Sequence, residues 1–355
     1  MPEENQKEPI GPEARFVENA WYIAAWNREV GRDLLARRIC DQPLVLYRLA
    51  DGTPVALQDL CRHRLLPLSC GQLEGDLLVC GYHGLTNDRT GRCVRIPSQE
   101  NIDPRMRVKS YPVVEKYRFI WVWIGDPARA DTATLPDYHW NDDPEWRGDG
   151  QVTLFNCDYR LILDNLLDLT HETYVHATSI GHPLLPSLPF ETDSDGASVT
   201  VQRWTLDELP PPFWSNLIQR ARGYTGRCDR WQICHFVPPS HMDIHVGVAA
   251  AGSGAPQGSR SKGVSAVVLD SVTPATATTS WYFWSMLRDF CLDDDALTQS
   301  MVMDNAKIFE EDRMVLEAQQ KSISENSSAA MGTFSINLDA GPTRMRQLIK
   351  ARVAA

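Results

Sequence analysis

Cys61-Arg62-His63 and Cys80-Gly81-Tyr82-His83 are separated by sixteen residues, and they decide the reading of the N-terminal part of the chain. Each stretch supplies one thiol and one imidazole. Both are flanked by residues that suit tight loops, with Gly71, Gly75, Gly81 and Gly84 around the four side chains. Glycine lets a loop wrap closely around a bound group, and its backbone N–H can then donate to that group.

Structural zinc sites usually pair Cys with Cys and His with His. Here each loop carries one of each. Two Cys on one iron and two His on the other is the ligand set of a Rieske [2Fe–2S] centre, in which the imidazoles raise the reduction potential. Cys61, His63, Cys80 and His83 are therefore the candidate cluster ligands, and the chain is expected to handle electrons singly.

Around these loops the sequence reads as strands and turns. Residues 43–58 (PLVLYRLADGTPVALQ) are apolar, turn, apolar about Asp51-Gly52, a hairpin signal. Residues 117–124 (YRFIWVWI) form an aromatic and β-branched run that stops at Gly125-Asp126-Pro127. Residues 126–150 read as a linker. Beyond it, residues 161–175 show helical apolar spacing. Strand-like runs follow at 199–206, 230–237, 244–250, 264–272 and 278–286, then helices at 297–321 and 343–353. The fold class is α+β, with an N-terminal all-β domain over residues 1–140 (core about 20–127) and a second domain over residues 141–355. Residues 249–262 (AAAGSGAPQGSRSK) read as an exposed loop.

The 355 residues suffice for two cores. A net charge of −11 argues against nucleic-acid or anionic-membrane partners. The polar start, residues 1–11, does not resemble a signal peptide, and no apolar run approaches a membrane span. Nine cysteines without framework-like spacing fit a reducing cytoplasm.

Residues 164–176 (DNLLDLTHETYVH) carry the second set of metal-binding side chains. Asp168 and His171 share a helical face. His171 and His176 are five apart, about 140° round an ideal helix, so they converge only if the helix ends or bulges between them. Two His and a carboxylate make the facial triad of non-haem Fe(II) oxygenases, which leaves positions for O2. Glu172 is directed away from His171. Among distant carboxylates, Asp312 has apolar helical neighbours in Phe309, Val315 and Leu316, whereas Glu310 and Glu311 read as solvated. From the residues alone, Asp304 remains open beside Asp312.

With both sets in view, the chain resembles the oxygenase component of Rieske non-haem iron aromatic-ring oxygenases, on the vanillate O-demethylase, toluenesulfonate methyl-monooxygenase and dicamba monooxygenase branch. The stretches that carry this are NAWYIAAW, CGYHG, FIWVWIGDP, DNLLDLTHETYVHATSIG, PPFW, DRWQIC, PPSH, SWYFW and IFEEDRMVLEAQQ, between about residues 20 and 340. The resemblance implies a helix-grip-like second domain, an antiparallel sheet covered by helices. It implies that His171, His176 and Asp312 hold the mononuclear Fe(II). It implies that Asp168 bridges cluster and iron, taking the electron from His83 of a neighbouring chain in a homotrimer, and that Asn165 is a distant neighbour of the iron. NAD(P)H would supply electrons through a flavin/[2Fe–2S] reductase or a ferredoxin, and O2 would be the co-substrate.

Two positions depart from the family pattern. Arg62 stands where Pro is usual, and Leu65-Leu66 replaces a small pair. Tyr82 occupies a loop in which respiratory Rieske proteins place an additional Cys, which favours the oxygenase type.

The implied substrate is a small acidic aromatic. O-demethylation of a methoxybenzoate such as vanillate, with formaldehyde release, is the first expectation. Hydroxylation or dioxygenation of a sulfonate, phthalate or chlorobenzoate is the second, and a simple electron carrier is the third. By position in the resemblance, His245, Asp270 and Met303 would line the pocket. Met303 equally suits core packing. Asp270, in the apolar run AVVLDSV, would need a buried partner such as a substrate phenol. His245 would anchor a carboxylate or hydroxyl. Arg203 and Arg230 are available for an acidic substrate, but nothing in the sequence aims them.

Overall fold

The computed structural model describes residues 16–326 and 334–354. The polar start at residues 1–11 lies outside them. The described chain divides into two units, one of residues 16–135 with 273–277, the other of residues 136–272 with 278–354.

The first unit is all β. Its strands are β1 (Ala20–Trp26), β2 (Leu35–Ile39), β3 (Gln42–Arg48), β4 (Pro54–Gln58), β5 (Gln72–Glu74) and β6 (Leu77–Val79). They continue with β7 (Thr86–Asn87), β8 (Cys93–Arg95), β9 (Ser110–Tyr111), β10 (Val113–Lys116) and β11 (Phe119–Ile124). Three sheets result, ordered β1-β11-β10, β2-β3-β4-β9 and β5-β6-β7-β8. The β3–β4 hairpin turns where Asp51-Gly52 predicts. Gly52 takes φ +88°, and the Asp51 side chain accepts from the Thr53 N–H at 2.9 Å. β11 is buried along its whole length, as expected of an apolar central strand.

The second unit is built on a seven-stranded antiparallel sheet. Its strands are β12 (Arg147–Phe155), β13 (Phe190–Asp193), β14 (Val199–Glu208), β15 (Cys228–Val237), β16 (His241–Ala250), β17 (Val264–Thr276) and β18 (Thr279–Arg288). The order is β12-β18-β17-β16-β15-β14-β13. Helices α1 (Tyr159–Leu167), α2 (Glu172–Val175), α3 (Pro212–Arg222), α4 (Asp295–Glu325) and α5 (Ala340–Val353) accompany it. The stretch read as a linker, residues 126–150, already contains the start of β12. Its glycines disguise it. A Cβ on Gly148 or Gly150 would fall 1.9 or 1.8 Å from the Met286 or Trp284 carbonyl oxygen, so the close approach of β18 requires them.

α4 starts at Asp294, whose side chain accepts from the Leu297 N–H at 2.9 Å. Its inward stripe is Leu297, Met301, Asn305, Ile308, Asp312, Leu316 and Gln320. Asp312 thus stands one turn from both Ile308 and Leu316 and faces the core. Asp304 is outside the stripe and pairs with Lys307 at 3.1 Å. No described helix is long and apolar enough to cross a membrane.

Candidate metal centres and active site

The two Cys/His loops of the first unit are built alike. The Cys61 carbonyl accepts from the Leu65 N–H at 2.8 Å, and the Cys61 N–H donates to Leu66 O at 2.9 Å. The Cys80 carbonyl accepts from the Gly84 N–H at 3.0 Å, and the Cys80 N–H donates to Leu85 O at 2.8 Å. Both thiols are buried and both imidazoles are exposed at the loop tips, with ring centroids 4.6 Å apart. Burial pushes the Cys61 thiol up, while the backbone N–H groups of His63 and Arg64 favour its thiolate. N–H groups aimed at sulfur are what a thiolate-held cluster needs. The donor set fits a [2Fe–2S] centre.

In the second unit the helix does end where convergence requires it. α1 begins at Asp158, which accepts from the Arg160 N–H at 2.9 Å, and it stops at Asp168, whose φ −98° and ψ +97° are extended. The Asp168 carboxylate accepts from the Thr170 N–H at 2.8 Å. His171 then caps the start of the single-turn α2, and His176 follows its end. Ligand atoms of His171, His176 and Asp312 lie within 4.8 Å of one another. The two Nε2 atoms are 3.5 and 3.1 Å from Asp312 Oδ1.

Each Nδ1 has its own acceptor. His171 Nδ1 meets the Asp168 carbonyl oxygen, and His176 Nδ1 lies 2.7 Å from Glu311 Oε2. Such partners fix ring orientation and leave Nε2 for a metal. Asn165 Nδ2 donates to Asp312 Oδ1 at 3.0 Å, so Asn165 is a direct neighbour of the third ligand. Glu311 was read as solvated, yet it orients His176. The available signal was its apolar helical neighbours, Ile308 and Val315.

These ligands stand at one wall of a cavity. Its apolar lining includes Leu166, Trp214, Ile244, Val246, Val268 and Phe309. Glu172 also faces it, contrary to the sequence reading. The chain is extended at Asp168 and turns helical again only at His171, so angles counted from α1 do not carry over to Glu172. The Glu172 carboxylate pairs with Arg230 at 3.0 Å and accepts from Gln232.

Three residues expected in the pocket stand elsewhere. Ile244 and Val246 face the cavity, so strand alternation turns His245 to the other face, where Nε2 meets Asp243 Oδ2 at 3.0 Å. Met303 is 57% exposed, because Met301 and Asn305 take the inward face of α4. Asp270 is fully buried and accepts from the Tyr282 hydroxyl at 2.7 Å. Burial pushes its carboxyl up to about 7. Of the two arginines, Arg230 lines the cavity, whereas Arg203 donates to Thr170 Oγ1 at 3.0 Å.

Residues 20–112 match the Rieske [2Fe–2S] domain, and residues 155–355 match the vanillate O-demethylase oxygenase C-terminal domain. The chain is 40% identical to the vanillate O-demethylase oxygenase subunit of Pseudomonas sp. (strain HR199 / DSM 7063), over 96% of each chain. It is 41% identical to the toluene-4-sulfonate monooxygenase system iron-sulfur subunit TsaM1 of Comamonas testosteroni, over 94% of this chain and 96% of that one. A crystal structure of dicamba monooxygenase with non-haem iron and dicamba superposes with a TM-score of 0.82 at 30% identity, covering 96% of this chain and 98% of that one. With two thiols and two imidazoles on matched loops, and two imidazoles and a carboxylate converging beside an apolar cavity, the chain belongs to the Rieske oxygenase family that includes the vanillate O-demethylase oxygenase subunit, as an oxygenase component that takes a [2Fe–2S] cluster and a mononuclear non-haem iron.

Proposed function

We propose that the chain O-demethylates a methoxylated aromatic acid of the vanillate type. The observation that carries this reading is the position of His171, His176 and Asp312 at the wall of an apolar cavity. An electron carrier needs no such cavity. Iron held there supplies O2 activation next to the bound ring. The protein's part is orientation and exclusion of water. Glu311 and the Asp168 carbonyl hold the imidazoles, and the aliphatic and aromatic walls hold the ring. Hydroxylation of the methoxy carbon yields a hemiacetal that collapses to a phenol and formaldehyde.

In this reading the cluster ligands are Cys61, His63, Cys80 and His83, in a domain ending near residue 140. Electrons come from NAD(P)H through a flavin/[2Fe–2S] reductase or a ferredoxin. Asp168 receives them from His83 of the next chain in a homotrimer, since a carboxylate can accept from two imidazole N–H groups at once. None of the nine cysteines pairs in a disulfide, in keeping with a cytoplasmic setting.

A panel of methoxy- and carboxy-aromatics with a surrogate reductase tests the activity, with NADH consumption and formaldehyde read together. Formaldehyde matching substrate consumed is expected. Oxidation without formaldehyde on every methoxy substrate would favour instead the hydroxylation of another acidic aromatic, in line with the toluenesulfonate relative.

A further inference from the structure

Besides the metal-binding side chains and besides Asn165 and Asn305, the polar lining of the cavity is a patch of Glu172, Arg230 and Gln232. Arg230 is 3% exposed and Glu172 5%. The guanidinium is held on two sides. Nη1 donates to Ile180 O at 2.9 Å, and Nη2 donates to Glu172 Oε2 at 3.0 Å. Gln232 donates to the other Glu172 oxygen. Arg230 Nε is buried with no acceptor among the described residues; the Nε atoms of Arg203, Arg260 and Arg288 share that state, but of the four only Arg230 lines the cavity. Buried N–H groups are rarely left in that state, and one on a cavity-lining side chain points to a ligand oxygen.

The charge on the patch says which oxygen. Glu172 neutralises Arg230, so the wall offers no spare cation. A substrate carboxylate at Nε would stand beside the Glu172 carboxylate, with like charges in a buried setting. A hydroxyl meets both demands. Its oxygen accepts from Arg230 Nε–H, and its own hydrogen goes to a remaining lone pair of Glu172. We propose that Glu172 and Arg230, with Gln232 as the brace, form a subsite that reads a ring hydroxyl of the substrate.

This rests on the cavity being the substrate site, and it selects methoxyarenes that also carry a phenol. It also moves the phenol contact from Asp270, which is outside the cavity lining, to Glu172.

The test is anaerobic calorimetry on the iron- and cluster-loaded protein with 4-hydroxy-3-methoxybenzoate and 3-methoxybenzoate. Wild type is expected to bind the hydroxylated acid about 10–100-fold more tightly, the range for a hydrogen bond to a charged group. In Glu172→Gln and in Arg230→Lys, which removes Nε but keeps the charge, that preference, taken as the ratio of the two affinities within each variant, falls below about threefold. Equal binding of the two acids by wild type, or a preference that survives in both variants, overturns the subsite. If vanillate binds with this preference but turnover releases no formaldehyde, the demethylation reading fails and the hydroxyl subsite stands.

Discussion

His176 Nδ1 lies 2.7 Å from the Glu311 carboxylate, while its Nε2 lies 3.1 Å from Asp312. One imidazole therefore spans two consecutive carboxylates of α4, a ligand and a brace. Without a metal, burial alone would lower the His176 pKa, but the carboxylates of Asp312 and Glu311, with Glu172 adding, outweigh it and raise it to about 9. Glu311→Ala removes the brace and leaves all three ligands. Iron affinity is expected to fall roughly 10–100-fold. Iron per chain after chelator dialysis measures it, with cluster absorbance unchanged. Retention equal to wild type would mean that Glu311 is an incidental surface contact.

Asp168 ends α1, accepts from Thr170 N–H, and presents its carbonyl to His171. The backbone carbonyl, not the carboxylate, orients the ligand. Asp168→Asn should therefore keep both metals and lose most coupled turnover. Full activity in this variant would sink the bridge assignment.

Asp270 gives a pH signature. Burial raises its carboxyl to about 7, with the charges of Asp243 and Asp312 adding to the rise and the Tyr282 hydroxyl opposing it. The unfolded chain releases this proton near pH 4. Between about pH 4 and 7 the folded state holds more protons. The stabilisation is complete below the unfolded value and is lost as pH rises through about 7. Asp270→Asn lacks this dependence. Its Tm relative to wild type should be more favourable at pH 8 than at pH 5. A difference independent of pH would contradict the assignment.

Leu65 and Gly84 occupy equivalent places in the two cluster loops, at φ +60° and +70°. A leucine in that region costs roughly 1–2 kcal/mol, and this one is 61% exposed. Leu65→Gly should stabilise the loaded chain by up to about 1 kcal/mol, since glycine loses more entropy on folding. Thermal unfolding measures it. A clear loss of stability would show that the side chain makes a contact worth more than the strain.

Ligand identity was legible in the sequence because it depends on residue type and spacing. The Cys/His pairs stood out by pattern, whereas helical spacing left Asp304 open beside Asp312 and only the resemblance decided between them. Cofacing across the sheet was not legible. Arg230, Gln232 and Cys234 share the cavity face of β15 with Ile244 and Val246 of β16, while His245 turns away. That depends on strand register, which no single stretch encodes. The direction of Glu172 and the role of Glu311 were misread for different reasons. Helical angles were counted where the chain breaks at Asp168, and a carboxylate beside a ligand was assigned to solvent before its partner His176 was placed. The strand β12 was hidden by Gly148 and Gly150, which the neighbouring backbone requires.

In the proposed function, electrons from the Cys/His loops of one chain drive chemistry at His171, His176 and Asp312 of the next. Demethylation of one methoxy group consumes O2 and two electrons. A reduced cluster and an Fe(II) hold one each. The direct measurement is a reductase-free single turnover, in which reduced, desalted protein with bound vanillate meets O2. The account predicts oxidation of the cluster together with up to one formaldehyde per reduced chain. In His176→Ala, it predicts neither coupled oxidation nor formaldehyde. Formaldehyde from a variant without the iron ligands, or a wild-type cluster that stays reduced beside bound vanillate, would contradict it.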